Sequence, residues 1–567
     1  MTTLVNATIP RTLDRLVERF SASPATRIEA WLFEDEAARR TAERRLAAAG
    51  TQARLRSAYK PLLHFFLEEV AAARPRRVAI RTPAGDARRF RLEAYPLAGL
   101  LADTELVFTA GDEPLHGYVE IDGEAQRVFV PHRADGSICG WLRVWQDGQW
   151  IEDGPLQTDF EAAYAVAMDA VRAHTWSRST PYFDTLEIDI ATGGIERRLP
   201  YHDECISTRE ALHEDLYFSV LAFFQRRAGV PDGDRTLQPG QIVPRLRAAE
   251  GPTQVRVALL SHPAVTPESG RAPALESLDR PLAPGEVERE MEALAAAGGT
   301  RFGVPTAQGR QVLGLHVAGA LPGLVVTGGQ HANETSGVVG ALRAARALAQ
   351  RAGAHFAVIA SENPDGSALH LALREDNPRH MLHAARYSAL GDDLEARAAP
   401  PYGEKAARLE AIERTGARLH LSLHGYPAHE WTRPLNGYIP QGFEQWTIPK
   451  GFFLILRHHA GLNGMAFLQA LTAELASDPK LAAFNARCLA TWHAHYGEMP
   501  LPVLHGIPCM VMEDHRSTVP FTLVPEFPDQ TVYGDAFRLA HTTQMRTVLA
   551  AAELYWRGLL DGEAVLA

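Results

Sequence analysis

Two rhythms of apolar and polar positions divide the 567-residue chain near residue 285. In the first half the runs are short and irregular. Ala30 to Phe33 is an apolar run, followed by an Ala/Arg/Glu-rich helical stretch to about Ala49 and a second helix near Leu62 to Ala73. From Arg77 to Gln149 short Val/Ile/Phe-rich runs (RVAIRT, ELVFTA, GYVEI, RVFVP, GWLRVW) are broken by Gly, Asp and Pro, which predicts an antiparallel sheet. Asp159 to Thr175 reads as a helix. Ser207-Thr-Arg-Glu210 has the spacing of a capping box opening the helix HEDLYFSVLAFFQRR. His213, Glu214 and Asp215 on that helix read as a solvated face rather than as ligands. Pro231 to Pro284 is rich in Pro, Gly and Arg around one apolar strand, Val255 to Leu260, and reads as a junction.

The second half is regular. A helical pattern, GEVEREMEALAAAG, precedes VLGLHVAG and the apolar run Leu324 to Thr327. The helix TSGVVGALRAARALAQ and the runs Phe356 to Ala360, Leu419 to Leu423 and Pro508 to Met512 follow. Short apolar strands alternating with helices predict an α/β domain over 285–567, with a mixed, mainly parallel sheet flanked by helices. An α+β N-terminal region precedes it, divided into a helical segment at 1–75 and a β-rich, then helical, accessory region at 76–284.

Composition narrows the class. Hydrophobic residues make up 46% and charged residues 22%, values of a globular chain. A formal net charge of −11 argues against nucleic-acid binding, which needs a basic surface. Lysine occurs only at positions 60, 405, 450 and 480, so basic charge is almost all arginine. Cys139, Cys205, Cys488 and Cys509 form no CxxC pair and give neither a disulfide framework nor a cysteine zinc site. The N-terminus lacks a basic segment followed by an apolar core, and no run reaches about 18 apolar residues. A cytoplasmic protein without a membrane partner is therefore expected; a homo-oligomer is compatible with the sequence.

Four polar clusters follow four of the second-half strands: Gln330-His331-Ala-Asn-Glu334, Ser361-Glu-Asn363-Pro-Asp365-Gly366, His424-Gly-Tyr426-Pro and Glu513-Asp-His515-Arg516. Ligands of open α/β sheets bind beyond the carboxyl ends of the strands, so four such groups suggest one active site. His331 and Glu334, three apart, can face one ion, with His424 as a third ligand. Two imidazoles and a carboxylate suit zinc and leave a position for water. Glu513 stands ready as general base. A second His-x-x-Glu, His495 to Glu498, lacks strand context and reads as chance. Cys509 reads as core, and His420 as the fallback ligand should His424 fail.

In order and wording, GGQHANE, NPDG, SLHGYP and VMEDHRS resemble the zinc carboxypeptidase family, pancreatic-type metallocarboxypeptidases related to succinylglutamate desuccinylase and aspartoacylase, over about residues 285–567. The resemblance implies one zinc per chain on His331, Glu334 and His424, with Glu513 as the catalytic glutamate. Arg374, in preference to Arg379, is the oxyanion arginine it implies. Arg386 is the arginine for the substrate carboxylate, without the family's preceding asparagine, and Tyr496 the nearest phenol. The expected reaction is removal of a C-terminal residue from a peptide. Deacylation of an N-acyl amino acid is the alternative, and a non-catalytic binding protein on the same fold is the third reading. The aromatic- and Pro-rich stretch His429 to His459 suits a lid or specificity wall and, equally, an ordinary surface loop.

Overall fold

The computed structural model describes residues 1–560 apart from 23, 71–74, 84–86, 112–115, 134–136, 263–264, 266–272, 430 and 437–447. It forms two compact units. The first comprises Met1–Gly233, Ile242–Ser261 and His429–Thr447; the second comprises Asp234–Gln241, His262–Ala428 and Ile448–Ala567.

The second unit is built on a mixed nine-stranded sheet. From edge to edge its strands are Thr300–Pro305, Gln311–Val317, Phe356–Ile359, Leu324–Gly328, Leu419–Tyr426, Phe521–Pro528, Phe453–His458, Ile507–Glu513 and Val503–Leu504. The four from Phe356–Ile359 to Phe521–Pro528 are mutually parallel. Beyond them direction reverses: Phe453–His458 is antiparallel to Phe521–Pro528 and parallel to Ile507–Glu513.

Alternation along Leu419–Tyr426 assigns the two faces. Leu419, Leu421 and Leu423 enter the large core formed with the helices Ser336–Ala349 and Asp535–Trp556. His420, Ser422 and His424 therefore lie on the other face, as the period of two requires. Leu523 and Phe527 join the same large core, so Thr522, Val524 and Glu526 share the face of His424. Val325, Ala357 and Ile359 pack on that face against Ala407 and Ala411 of the helix Lys405–Thr415.

The first unit contains three four-stranded sheets. Residues 77–149 do not form the one antiparallel sheet expected. Arg77–Pro83 pairs in parallel with Glu105–Gly111, while Gly140–Gln146 joins a different sheet beside Arg27–Leu32. A parallel pair needs a crossover, and the helix Ala87–Leu100 supplies it; Pro96 within that helix hides it from a reading by pattern. Among the described residues no helix is long and apolar enough to cross a membrane.

The helix Thr208–Ala228 starts as expected, with Ser207 Oγ accepting the Glu210 N–H at 3.1 Å. Its polar residues are not solvated, however: His213, Glu214 and Asp215 are all buried. The Glu210 carboxylate lies 2.8 Å from His429 Nε2, and Asp215 accepts the Leu435 N–H at 2.9 Å. Burial pushes the Asp215 carboxyl up to about 8, so the folded state keeps a proton that the unfolded chain releases near pH 3.9. More protons bound in the folded state means stability that falls as pH rises through this window. Wild-type protein is therefore expected to lose several degrees of Tm between pH 5 and 8, and Asp215→Asn to flatten that slope. An unchanged slope in thermal melts would contradict the buried acid.

Candidate metal centre

His331 and Glu334 lie in the loop between the strand Leu324–Gly328 and the helix Ser336–Ala349. Gly329, at φ +62°, turns the chain out of the strand, in the left-handed region where a side chain is disfavoured. The Glu334 N–H then donates to the His331 carbonyl at 3.1 Å, a tight turn that brings residues three apart onto one side. Asn333 Nδ2 pins the turn to Met381 O and Gln530 Oε1, each at 3.1 Å. His424 arrives from the parallel neighbour Leu419–Tyr426.

The three side chains converge. Nδ1 of His331 lies 2.8 Å from Glu334 Oε1, and Nδ1 of His424 lies 2.9 Å from Glu334 Oε2. One ligand atom from each falls within 4.8 Å of the others, and all three residues are buried; among the described residues no other trio of His, Cys, Asp or Glu does this. Gly425 donates its N–H to Glu334 Oε2 at 3.0 Å. A Cβ at Gly425 would sit 2.1 Å from Asp529 Oδ1, so the glycine is needed where the sheet meets the loop after Phe521–Pro528.

The opposite edges of the imidazoles are held as well. His331 Nε2 faces Asp393 Oδ2 at 3.4 Å, and His424 Nε2 lies 3.1 Å from Ser422 Oγ. Asp393 Oδ1 accepts from Gln330 Nε2 at 3.2 Å, and Gln330 accepts from Arg408, whose fork also grips Glu362 at 2.6 and 2.7 Å. Both Nδ1 atoms point inward and both rings are fixed from behind, the usual support for a metal-binding histidine. The donor set fits a divalent cation of borderline softness. Asp393→Asn is expected to weaken metal affinity about 10- to 100-fold, read by competition with a chelating dye. Unaltered affinity would remove Asp393 from the site.

The charges agree with this geometry. Burial opposes ionisation of Glu334, but His331, Arg386 and His424 outweigh it and hold the carboxyl well below the usual range. Burial and Arg386 press against a charge on His331, yet Glu334 and Asp393 raise its pKa. Burial lowers that of His424 despite Glu334.

The remaining sequence-derived residues fall differently. Glu513 is not at the cluster. Its strand lies three places from Leu419–Tyr426, about 14 Å at the usual strand spacing, and runs in the opposite direction. Glu513 consequently ends up level with Phe521, at the edge of the sheet away from His424. Its side chain is 56% exposed and pairs with His515. Arg374 and Arg379 lie over the Tyr533 ring, at 5.4 and 5.9 Å. Arg386 takes the position beside the cluster, with Nη1 2.5 Å from Glu334 Oε1. The Tyr496 ring packs on Trp492 and His495 at the end of the helix Pro479–Tyr496. His420 is a satisfied core residue, 2.9 Å from Thr327 Oγ1, and Cys509 is buried in the core. In the expected lid, residues 430 and 437–447 lie outside the described residues, and Phe453–His458 is a sheet strand rather than loop.

The residue that sequence reasoning missed is Glu526. It stands directly across the parallel pair from His424 and is 6% exposed, with Oε2 buried and without a hydrogen-bond partner. Burial and the charge of Glu334 push its carboxyl well above the usual range, against Arg386, Lys450 and Arg457. Lys450 is itself buried, its ammonium 4.9 Å from the Tyr426 ring and 4.8 Å from that of Phe453, which is Glu526's partner on the next strand. The Tyr426 hydroxyl accepts the Lys450 N–H at 3.0 Å.

NPDG has a structural role. Asn363 Oδ1 caps the helix Pro364–Arg374 by accepting the Gly366 N–H at 2.9 Å, and its Nδ2 donates to Tyr387 O at 3.0 Å, next to Arg386. Asp365 accepts from Thr306 Oγ1 and from the Gln308 N–H at 2.9 and 3.0 Å.

Among solved structures, part of the chain is similar to a metallo-carboxypeptidase from Pseudomonas aeruginosa in complex with (2-guanidinoethylmercapto)succinic acid, at 16% identity over 55% of this chain and 76% of that one, TM-score 0.29. It is also similar to a metallo-carboxypeptidase from Burkholderia cenocepacia (14%, 55% and 77%, TM-score 0.30). Carboxypeptidase A from Helicoverpa armigera gives 10% identity over 60% of this chain and 94% of that one, TM-score 0.32. No family model matches the sequence, and no curated protein matches it. The chemistry of the site is left to its own residues.

Proposed function

We propose that the second unit is a zinc-dependent amide hydrolase that acts as a metallocarboxypeptidase, with Glu526 as its general base. The observation that carries this reading is the placement of Glu526: a buried carboxylate with an unpartnered oxygen, on the same sheet face as His424 and directly opposite it. His331, Glu334 and His424 would hold the metal. When bound, zinc supplies Lewis acidity, which acidifies water and polarises a carbonyl.

The chain's own groups perform the rest. Glu526 takes the proton of the attacking water and passes it to the leaving amine nitrogen. A carboxyl whose pKa is raised by burial suits that task, because a base works best when its pKa approaches the working pH. Arg386, the buried cation beside Glu334, faces the negative charge that builds on the substrate oxygen. Asp393 holds the His331 ring from behind.

Deacylation of an N-acyl amino acid is the second reading. Both substrates present an α-carboxylate beside the scissile amide, so the position of Arg386 at Glu334 fits either. Incubating zinc-reconstituted full-length chain with N-blocked peptides and with N-acyl amino acids, followed by mass spectrometry, separates the two. Peptides shortened by one C-terminal residue are expected. Release of acyl groups alone would favour deacylation, and no product from either class would overturn both.

A further inference from the structure

The metal ligands and Glu526 come from three neighbouring strands. The turn carrying His331 and Glu334 follows Leu324–Gly328, whereas Glu526 stands on Phe521–Pro528, two strands away and about 10 Å at the usual spacing. Leu419–Tyr426, which supplies His424, lies between them. A reacting group misplaced by about 1 Å can cost about 10²-fold in rate, so the outer two strands have to be fixed to each other at this end.

The chain directly after Phe521–Pro528 makes that connection. The Asp529 N–H donates to the Tyr426 carbonyl at 3.0 Å, which brings the backbone to the end of the middle strand. Asp529 Oδ2 accepts the Ser336 N–H at 2.6 Å, at the first residue of the helix Ser336–Ala349 and two residues after Glu334. Gln530 Oε1 accepts from Asn333 Nδ2 at 3.1 Å, one residue before Glu334. Two adjacent residues thus hold the metal turn on both sides of Glu334. Asn333, Asp529 and Gln530 are all buried, so water does not compete for these bonds. The link back to the base is stiff as well: Phe527 is anchored in the large core, and Pro528 has a fixed φ.

We infer that Asp529 and Gln530 are positioning residues, which set Glu526 in register with the metal ligands by clasping the metal turn across the end of Leu419–Tyr426. The inference rests on the hydrolase reading above. A clasp of this kind acts on rate through Glu526, whereas a merely structural contact would cost the same whichever residue served as base.

The test is a double-mutant cycle in kcat. Zinc-reconstituted full chain is assayed on the fastest of the N-blocked peptides and N-acyl amino acids above. Asp529→Ala is expected to keep its zinc and its KM while kcat falls roughly 10- to 100-fold. Asp529→Asn, which keeps an acceptor for the Ser336 N–H, is expected to recover most of that rate. In the Glu526→Gln background no base is left to misplace, so adding Asp529→Ala is expected to lower kcat no further. An equal loss in the parent and in the Glu526→Gln background, loss of zinc from Asp529→Ala, or an unchanged kcat would each overturn the assignment. Should Asp529→Ala fail to fold, Gln530→Ala cuts the other half of the clasp and is read against Glu526→Gln in the same way. The two failures separate: a parent that binds zinc but turns over none of the substrates removes the hydrolase reading, whereas an active parent with additive losses removes only the clasp.

Discussion

Glu526→Gln is expected to keep zinc and lose roughly 10²–10⁴-fold in kcat, the span typical of a lost general base. Glutamine preserves the volume and leaves an acceptor oxygen toward the cluster but takes no proton, so KM should move little. The comparison that gives the number meaning is Glu513→Gln. That side chain is more than half exposed and lies at the far edge of the sheet. Its replacement should change neither rate nor, beyond about 0.5 kcal/mol, stability. A large loss in Glu513→Gln with normal turnover in Glu526→Gln would reverse the assignment. Because burial and the charge of Glu334 oppose ionisation of Glu526, the neutral glutamine is expected to melt no lower than wild type.

The second large effect is on the metal. His424→Ala deletes one of two nitrogen donors and strips Glu334 Oε2 of its imidazole partner, leaving the Gly425 N–H there. Zinc is expected to be lost on dialysis against buffer, and activity to fall to that of metal-free protein without recovery on adding zinc. The Gln544 amide, which holds the His424 carbonyl at 2.7 Å, remains to support the strand, so the fold should survive. Full zinc occupancy in His424→Ala would remove this residue from the ligand set. His420→Ala serves as the control: it too is a histidine on that strand face, but it is committed to Thr327 and should retain zinc.

The candidate ligands were legible in the sequence because each lies on a recognisable strand or in the turn after one. His331 and Glu334 come directly after GLVVTGG, and a turn brings positions three apart together. His424 ends LHLSLHGY, whose strict alternation puts histidine and leucine on opposite faces. Glu526 was not legible. Its strand, FTLVPEFP, contains two prolines that demote it in any pattern reading, and a single carboxylate in such a run resembles a loop residue. Pro508 to Met512 is a cleaner strand, yet nothing in its own residues records that it runs against the central four.

Direction and strand order come from pairings between distant segments, which periodicity does not encode. The same holds for the helix Thr208–Ala228. His213, Glu214 and Asp215 look like a solvated face until Leu435 and the chain around it bring partners from more than 200 positions away. Arg386 is the intermediate case. Its importance was readable, but its position at Glu334 rather than on a substrate carboxylate depends on the NPDG turn that clasps Tyr387.

The most direct test of the metal centre is anomalous X-ray diffraction, recorded on either side of the zinc absorption edge, from crystals of the full chain grown with equimolar zinc. One peak per chain is expected, about 2.0–2.2 Å from Nδ1 of His331, Nδ1 of His424 and the Glu334 carboxylate. No peak there, or a peak only at surface histidines such as His459 and His515, would contradict a zinc hydrolase and leave the buried cluster as an ion-paired piece of the core.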